Sequence, residues 1–195
     1  MTETLNNSDS DLIGCFLEQN DQHAFDLLVK RYQDMVYNFC YRFLGSYDDA
    51  LDCSQEVFIK VFKNLRQFRN EASFSSWLYR IVMNSCKEMV RSKPYKVRLK
   101  EAEIDKMDFQ AMKKNHFSSS PEKVLLRKEF SEAFQSALLR LKKTHRLMII
   151  MRDIEGRSYD EIATITGMKS GTVRSSLARA RIRMASELKE YRYEM

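Results

Sequence analysis

Three groups of residues have types and spacings that could do chemistry. Asp49, Asp52 and Glu56, with Gln55 beside them, fall at i, i+3 and i+7. That spacing puts the carboxylates on one helix face, as acceptors for the Arg side chains of a partner. Phe74, Trp77, Tyr79 and Arg80, followed by Asn84, Lys87, Arg91 and Lys93, interleave rings with cations, a combination that stacks on bases and neutralises phosphates of single-stranded nucleic acid. Trp77 and Asn84 are two helical turns apart, so one helix can aim both at the same stretch of ligand. The Asn amide offers donors and an acceptor to a base edge. Phe74 and Trp77 also share an apolar stripe, so Phe74 is expected in a core and Trp77 is divided between packing and stacking. In the third group Arg174, Ser175, Ala178, Arg179 and Arg181 stand opposite the stripe of Val173, Leu177, Ala180 and Met184, and Ile162 to Ser186 contains five basic and no acidic residues. Such a face suits a major groove, with Arg reading guanine and Ser or Arg holding phosphates.

Catalysis finds no foothold. His23, His116 and His145 are far apart, and there is no Glu-x-x-His pair, nucleophile elbow or phosphate-cradling Gly loop. Cys15, Cys40, Cys53 and Cys86 are separated by 25, 13 and 33 residues, which fits neither a disulfide-dense scaffold nor a Cys-x-x-Cys metal or redox motif. They are expected to be buried free thiols. No metal ligand set and no cofactor is read from the sequence.

The elements that position these groups follow from composition and period. With 195 residues, 44% hydrophobic, 5 Gly and 2 Pro, the chain can bury a core and is not disordered in composition. The longest wholly apolar run is Leu147 to Met151, far short of the roughly 18 residues of a membrane span, and the N-terminus lacks the order of a signal peptide. A cytoplasmic protein without membrane insertion is expected. Residues 1 to 56 carry 3 basic and 11 acidic residues, whereas residues 57 to 92 carry 7 basic and 2 acidic. An acidic entry followed by basic surfaces points to two partners, one of them polyanionic.

The dominant period is helical. Phe25, Leu28, Val29, Tyr32, Val36, Phe39, Cys40 and Phe43 describe a long amphipathic helix ended by Gly45. A second opens at Asp48 and Asp49, acids suited to a helix N-terminus, and should bury Val57, Phe58, Val61, Phe62 and Leu65. A third carries Phe74, Trp77, Leu78, Ile81 and Val82. Pro94 and Pro121 bracket a Lys-, Glu-, Asp- and Ser-rich stretch that reads as a pliant interlobe linker, leaving the lobes free to move relative to each other. Beyond it the pattern predicts helices over Val124–Leu141 and Leu147–Ile154, the latter stopped at Gly156. Ser158 and Glu161 have capping-box spacing and predict a helix from Tyr159 to about Thr166, with Ile162, Ala163 and Ile165 inward. Gly167 permits the left-handed turn, and Ser170 is placed to cap the following helix. The class is therefore all-α: two helical domains, residues 10–92 and 121–190, joined by the linker 93–120, with a helix-turn-helix in the second.

At the motif level the chain resembles a family. Asp153-Ile154-Glu155-Gly156-Arg157-Ser158-Tyr159-Asp160-Glu161-Ile162-Ala163, then Gly171-Thr172-Val173-Arg174-Ser175 and Arg179-Ala180-Arg181, is similar to the fourth domain of bacterial extracytoplasmic-function sigma factors of the sigma-70 family. Asp49-Ala50-Leu51-Asp52-Cys53-Ser54-Gln55-Glu56-Val57-Phe58 resembles the signature of the second sigma domain, as does Phe68-Arg69-Asn70-Glu71-Ala72-Ser73-Phe74-Ser75-Ser76-Trp77-Leu78-Tyr79-Arg80-Ile81. Two departures stand out, Ser176 where the family usually has Arg and Asn70 where it usually has Gly.

The resemblance implies a sigma factor and no enzymatic activity. Asp49, Asp52, Gln55 and Glu56 would bind the clamp coiled coil of the largest subunit of core RNA polymerase, and the second domain would meet the flap of the second-largest subunit. Trp77, Tyr79, Arg80, Asn84, Lys87 and Arg91 would recognise and melt the minus-ten promoter element, with Asn84 beside a pocket for a flipped base. Ser170, Thr172, Arg174, Ser175, Ala178, Arg179 and Arg181 would bind the minus-thirty-five element. The linker, partly anionic at Glu101, Glu103, Asp105 and Asp108, would thread toward the polymerase active-site cleft, and an anti-sigma factor is an expected partner. A stand-alone regulator would need a receiver or ligand lobe, and a nucleic-acid enzyme would need converging metal-binding carboxylates; the sequence shows neither.

Overall fold

The computed structural model describes residues 7–68, 73–92 and 121–189, and these are all-helical. The linker 93–120, with Pro94 and its four acids, and the loop residue Asn70 lie outside the described residues.

The first lobe is built from α1 (Asp9–Gln19), α2 (Gln22–Leu44), α3 (Tyr47–Asn64) and α4 (Phe74–Arg91), with a 3-10 turn over Leu65–Gln67 after α3. Capping chemistry sets the boundaries. Ser8 and Asp11 form a reciprocal capping box at the start of α1, a helix that the apolar pattern did not single out. Asp21 accepts from the His23 N–H, Ser46 from Asp49 and Ser73 from Ser76. α2 stops at Gly45, whose φ of 83° is left-handed. Val36, Phe39, Cys40 and Phe43 of α2, Ala50, Cys53, Val57 and Val61 of α3, and Phe74, Leu78, Val82 and Cys86 of α4 make the shared core. Phe62 is not inside it as expected. It lies at the edge of the buried face, against Phe16 and Phe25 at ring separations of 5.5 and 5.1 Å, and stays 44% exposed.

The second lobe contains α5 (Pro121–Arg140), α6 (Lys143–Ile149), α7 (Tyr159–Thr166) and α8 (Ser170–Glu187). The apolar stretch expected as one helix over Leu147–Ile154 widens into a π turn at Ile150–Ile154, which closes on Gly156 with φ of 69°. The Ser158 and Glu161 capping box opens α7, and Gly167 ends it at φ of 71°. Ser170 does not cap α8. The turn after α7 spans three residues, so Lys169 takes the cap position and Ser170 is the first helical residue.

The two lobes share one buried core, and polar groups stitch the C-terminal end of α2 to the second lobe. Gln135, buried on α5, donates to the Tyr41 and Arg42 carbonyls at 3.2 and 3.3 Å. Arg146 donates to the carbonyls of Leu138, Phe43 and Leu139, with its guanidinium 5.5 Å from the Phe43 ring centroid. Helix C-terminal carbonyls lack intrahelical donors, so a buried Arg satisfies several of them and complements the dipole. The approach is close enough that a Cβ at Gly45 would fall 2.4 Å from a Leu139 methyl.

Candidate nucleic-acid interface

α3 divides the expected acceptor group. Asp49 is 4% exposed and faces the core side of its first turn, so it does not belong to the acidic surface. At 100° per residue position 49 lies between Glu56 on one side and Cys53 on the other, so helical phase alone does not decide its burial. Asp52, Gln55 and Glu56 are exposed, and the same face carries Leu51, Ile59 and Phe62 with large apolar area in solvent. Lys60 holds Glu56 at 3.0 Å and Glu88 of α4 at 2.6 Å. The surface is thus mixed, with directed acceptors bordered by apolar side chains, the composition of a protein-docking patch rather than of a solvated helix.

α4 presents Arg80, Asn84 and Arg91 to solvent, with Lys87 half-buried on the same stripe. Burial draws the Lys87 ammonium down, and Arg91 beside it adds to the effect. Trp77 is half-buried, packed at ring separations of 5.3 Å from Phe68 and 5.8 Å from Phe74. Phe74 is buried, as its stripe implies.

Tyr79 is a correction: it is 1% exposed and cannot reach a nucleic acid in this arrangement. It follows Leu78 on the inner side of α4 and packs edge-on to Phe39 at 5.9 Å. Its hydroxyl donates to Glu155 Oε2 at 2.8 Å, and the Arg157 guanidinium sits 4.5 Å from its ring centroid. Burial pushes the phenol up to about 12, so it remains a donor. Arg80 is exposed, yet it is engaged as well, donating to the Thr164 carbonyl of α7 at 2.9 Å. The second lobe therefore sits on the helix expected to read single-stranded DNA. Glu155, Arg157 and Thr164 were not among the expected functional residues.

On α8, Val173, Leu177, Ala180 and Met184 are buried, and Thr172, Arg174, Ser175, Ala178 and Arg179 are exposed. Ser170 and Ser176 are half-buried. Arg174 lies 5.5 Å from the Tyr159 ring centroid and Arg152 lies 5.0 Å from it, so the first helix of the pair aims a cation of the second. Arg181 is half spent: it forms a two-point pair with Asp153, with Nε to Oδ2 at 3.1 Å. That pair holds α8 to the π turn and competes with any phosphate for the same guanidinium.

Residues 28–94 match the family description Sigma-70 region 2, and residues 131–184 match Sigma-70, region 4. The RNA polymerase sigma-H factor of Pseudomonas aeruginosa is 33% identical over 168 residues, covering 85% of this chain and 86% of that protein. The ECF RNA polymerase sigma-E factor of Escherichia coli K12 is 34% identical over 166 residues, with coverage of 85% and 86%. Among solved structures, the sigma factor RpoE in complex with the anti-sigma factor NepR from Bartonella quintana shares the fold at a TM-score of 0.64 and 22% identity, covering 85% of this chain and 96% of that one. CnrH in complex with the cytosolic domain of CnrY gives a TM-score of 0.64 at 22% identity, with coverage of 94% and 99%. With region 2 in its first lobe and region 4 in its second, the chain belongs to the sigma-70 family as an ECF sigma factor of transcription initiation, and it is not an enzyme.

Proposed function

We propose that the chain docks on core RNA polymerase through the exposed face of α3, using Asp52, Gln55 and Glu56 with Leu51, Ile59 and Phe62 around them. The observation that carries this reading is the coexistence of unburied carboxylates and large exposed apolar side chains on one helix face of an otherwise well-packed lobe. Promoter contacts then divide between two helices. Trp77, Arg80, Asn84, Lys87 and Arg91 of α4 serve the minus-ten element, and Thr172, Arg174, Ser175, Ala178 and Arg179 of α8 serve the minus-thirty-five element. Ser170 and Arg181 take lesser parts, being half-buried and paired respectively. Region 4 also meets the flap of the second-largest subunit, and the protein works in the cytoplasm; among the described residues no helix is long and apolar enough to cross a membrane. The structurally similar RpoE, solved in complex with the anti-sigma factor NepR, supports an anti-sigma partner here.

The arrangement adds a step. Arg80 serves promoter DNA only after α7 releases it, so the lobes separate when polymerase binds. Transcription in vitro by core polymerase with and without the chain tests the reading. New start sites are expected with the parent, and their loss with Asp52→Ala plus Glu56→Ala. Removing two charge-assisted acceptors, each of about 1.5 to 3 kcal/mol, should weaken core binding tenfold or more without unfolding the protein. Unchanged start sites with the parent chain, or unchanged core affinity in the double variant, would contradict it.

A further inference from the structure

We propose that Cys40, Cys53 and Cys86 form a three-thiol site for a trivalent thiophilic ion, arsenic(III) or its heavier congener antimony(III), at the centre of the first lobe. One cysteine comes from each of α2, α3 and α4, and all three are fully buried. Their sulfurs lie within 4.8 Å of one another. Cys53 Sγ is 3.8 Å from Cys86 Sγ, which is 3.7 Å from Cys40 Sγ. Three sulfurs bound at about 2.3 Å to one pyramidal ion stand roughly 3.4 Å apart, so two edges of the triangle need close by only about 0.4 Å to share the ion. No sequence motif announces the site, because three helices rather than one short segment bring the thiols together.

Charge selects the ion. Among the described residues no fourth His, Cys, Asp or Glu joins the triad, which leaves a tetrahedral zinc centre one ligand short. Zinc or copper(I) on three thiolates would also place net negative charge in this core. Val36, Val57 and Val82, one turn from Cys40, Cys53 and Cys86 respectively, are fully buried. The cation facing Cys53 is Lys60, and it is engaged by Glu56 and Glu88. A buried charge without compensation is strongly unfavourable. A trivalent ion avoids it, since three thiolates on arsenic(III) make a neutral centre.

The reaction needs no oxidant and no ionised starting form. Arsenous acid and three thiols form three As–S bonds as three As–O bonds break, and each thiol proton leaves with a hydroxyl group as water. Burial holds the Cys86 thiol well above its usual range, and Cys40 is raised too, first by its contact with Cys53. The product ties α2, α3 and α4 at one level and should stabilise the folded lobe by mass action.

Native mass spectrometry of the full chain, incubated with sodium arsenite or refolded from urea in its presence, tests the proposal. The expected result is one arsenic gained and three protons lost, together with a higher Tm. The half-buried Cys15 lies outside the triad, so Cys15→Ser should leave both changes intact. Cys53→Ala should abolish the three-proton adduct, and Cys40→Ala provides a second variant should the first fail to fold by circular dichroism. An adduct that keeps a hydroxyl group, the same adduct in Cys53→Ala, zinc retained in preference to arsenic in direct competition, or no adduct by either route would each overturn it.

Discussion

The two helices proposed to contact promoter DNA are presented in opposite ways. α8 buries an apolar stripe and turns Arg174, Ser175 and Arg179 outward into solvent, held only by contacts within the second lobe such as that of Arg174 with the Tyr159 ring. α4 has the same division into stripe and polar face, but its inner edge is used twice: Tyr79 is bonded to Glu155, and Arg80 to Thr164. The difference teaches that a DNA-binding face is set by what packs on it as much as by its residues. In the free chain, the polar face of α8 is open to solvent while α4 of region 2 is partly covered by region 4 itself.

The largest break in this comparison should come from Arg146→Ala. It removes the donor shared by carbonyls of α2 and α5 and leaves them buried without it. A loss of about 3 kcal/mol is expected, read as a lower urea midpoint, and protection of α2 and α5 against hydrogen exchange should fall together. Next come the exposed DNA residues, which separate recognition from melting. Arg174→Ala should cost about 1 to 3 kcal/mol of minus-thirty-five binding and relax preference at one base pair. Asn84→Ala should spare that binding and reduce opening of a fully paired promoter, with recovery on a template mismatched across the minus-ten element, as permanganate footprinting would show.

A smaller effect sharpens the comparison from the covered side. Tyr79→Phe keeps the ring and deletes only the bond to Glu155, a charge-assisted contact of about 1.5 kcal/mol. Loosening the closed form by that amount should raise apparent affinity for core polymerase up to about tenfold, measured by titration against a labelled polymerase. The smallest effect is a pH dependence confined to region 4. The Ser158 backbone N–H, then Arg157, hold the Glu161 carboxyl below its usual value. A depressed folded pKa gives stability that is present above the unfolded value of 4.5 and is lost as pH falls through the folded one. Because Glu161 is half-exposed and its ion pair is screened by solvent, the loss should stay under about 1 kcal/mol and vanish in Glu161→Gln, as stability curves between pH 6 and the acid range would show.

Local chemistry was legible in the sequence and long-range pairing was not. The capping box at Ser158, the stop at Gly167 and the buried stripe of α8 are written within a few residues, and the helix boundaries follow them. Ser8 and Asp11 carry the same kind of signal for α1, but the apolar stretch beside it is too short to show a helical period. The i, i+3, i+7 spacing places Asp49 beside Asp52 and Glu56, yet it is buried, because its position at the border of the two faces leaves the outcome to what packs over the first turn of α3, which the spacing does not carry. The seam could not be read, since Tyr79 and Glu155 are 76 residues apart and neither is unusual alone. For the same reason the sulfur triad, spread over three helices, has no motif.

The claim that region 4 covers region 2 until polymerase separates them is tested most directly by a distance between the lobes. Spin labels at Gln33 of α2 and Ala185 of α8, both exposed, can be introduced as cysteines after Cys15→Ser, with the buried cysteines left unlabelled. Pulsed dipolar spectroscopy should give one narrow, short distance in the free chain and a longer one when core polymerase is added, with Tyr79→Phe shifting the free chain partway. An identical distribution with and without polymerase would contradict the account.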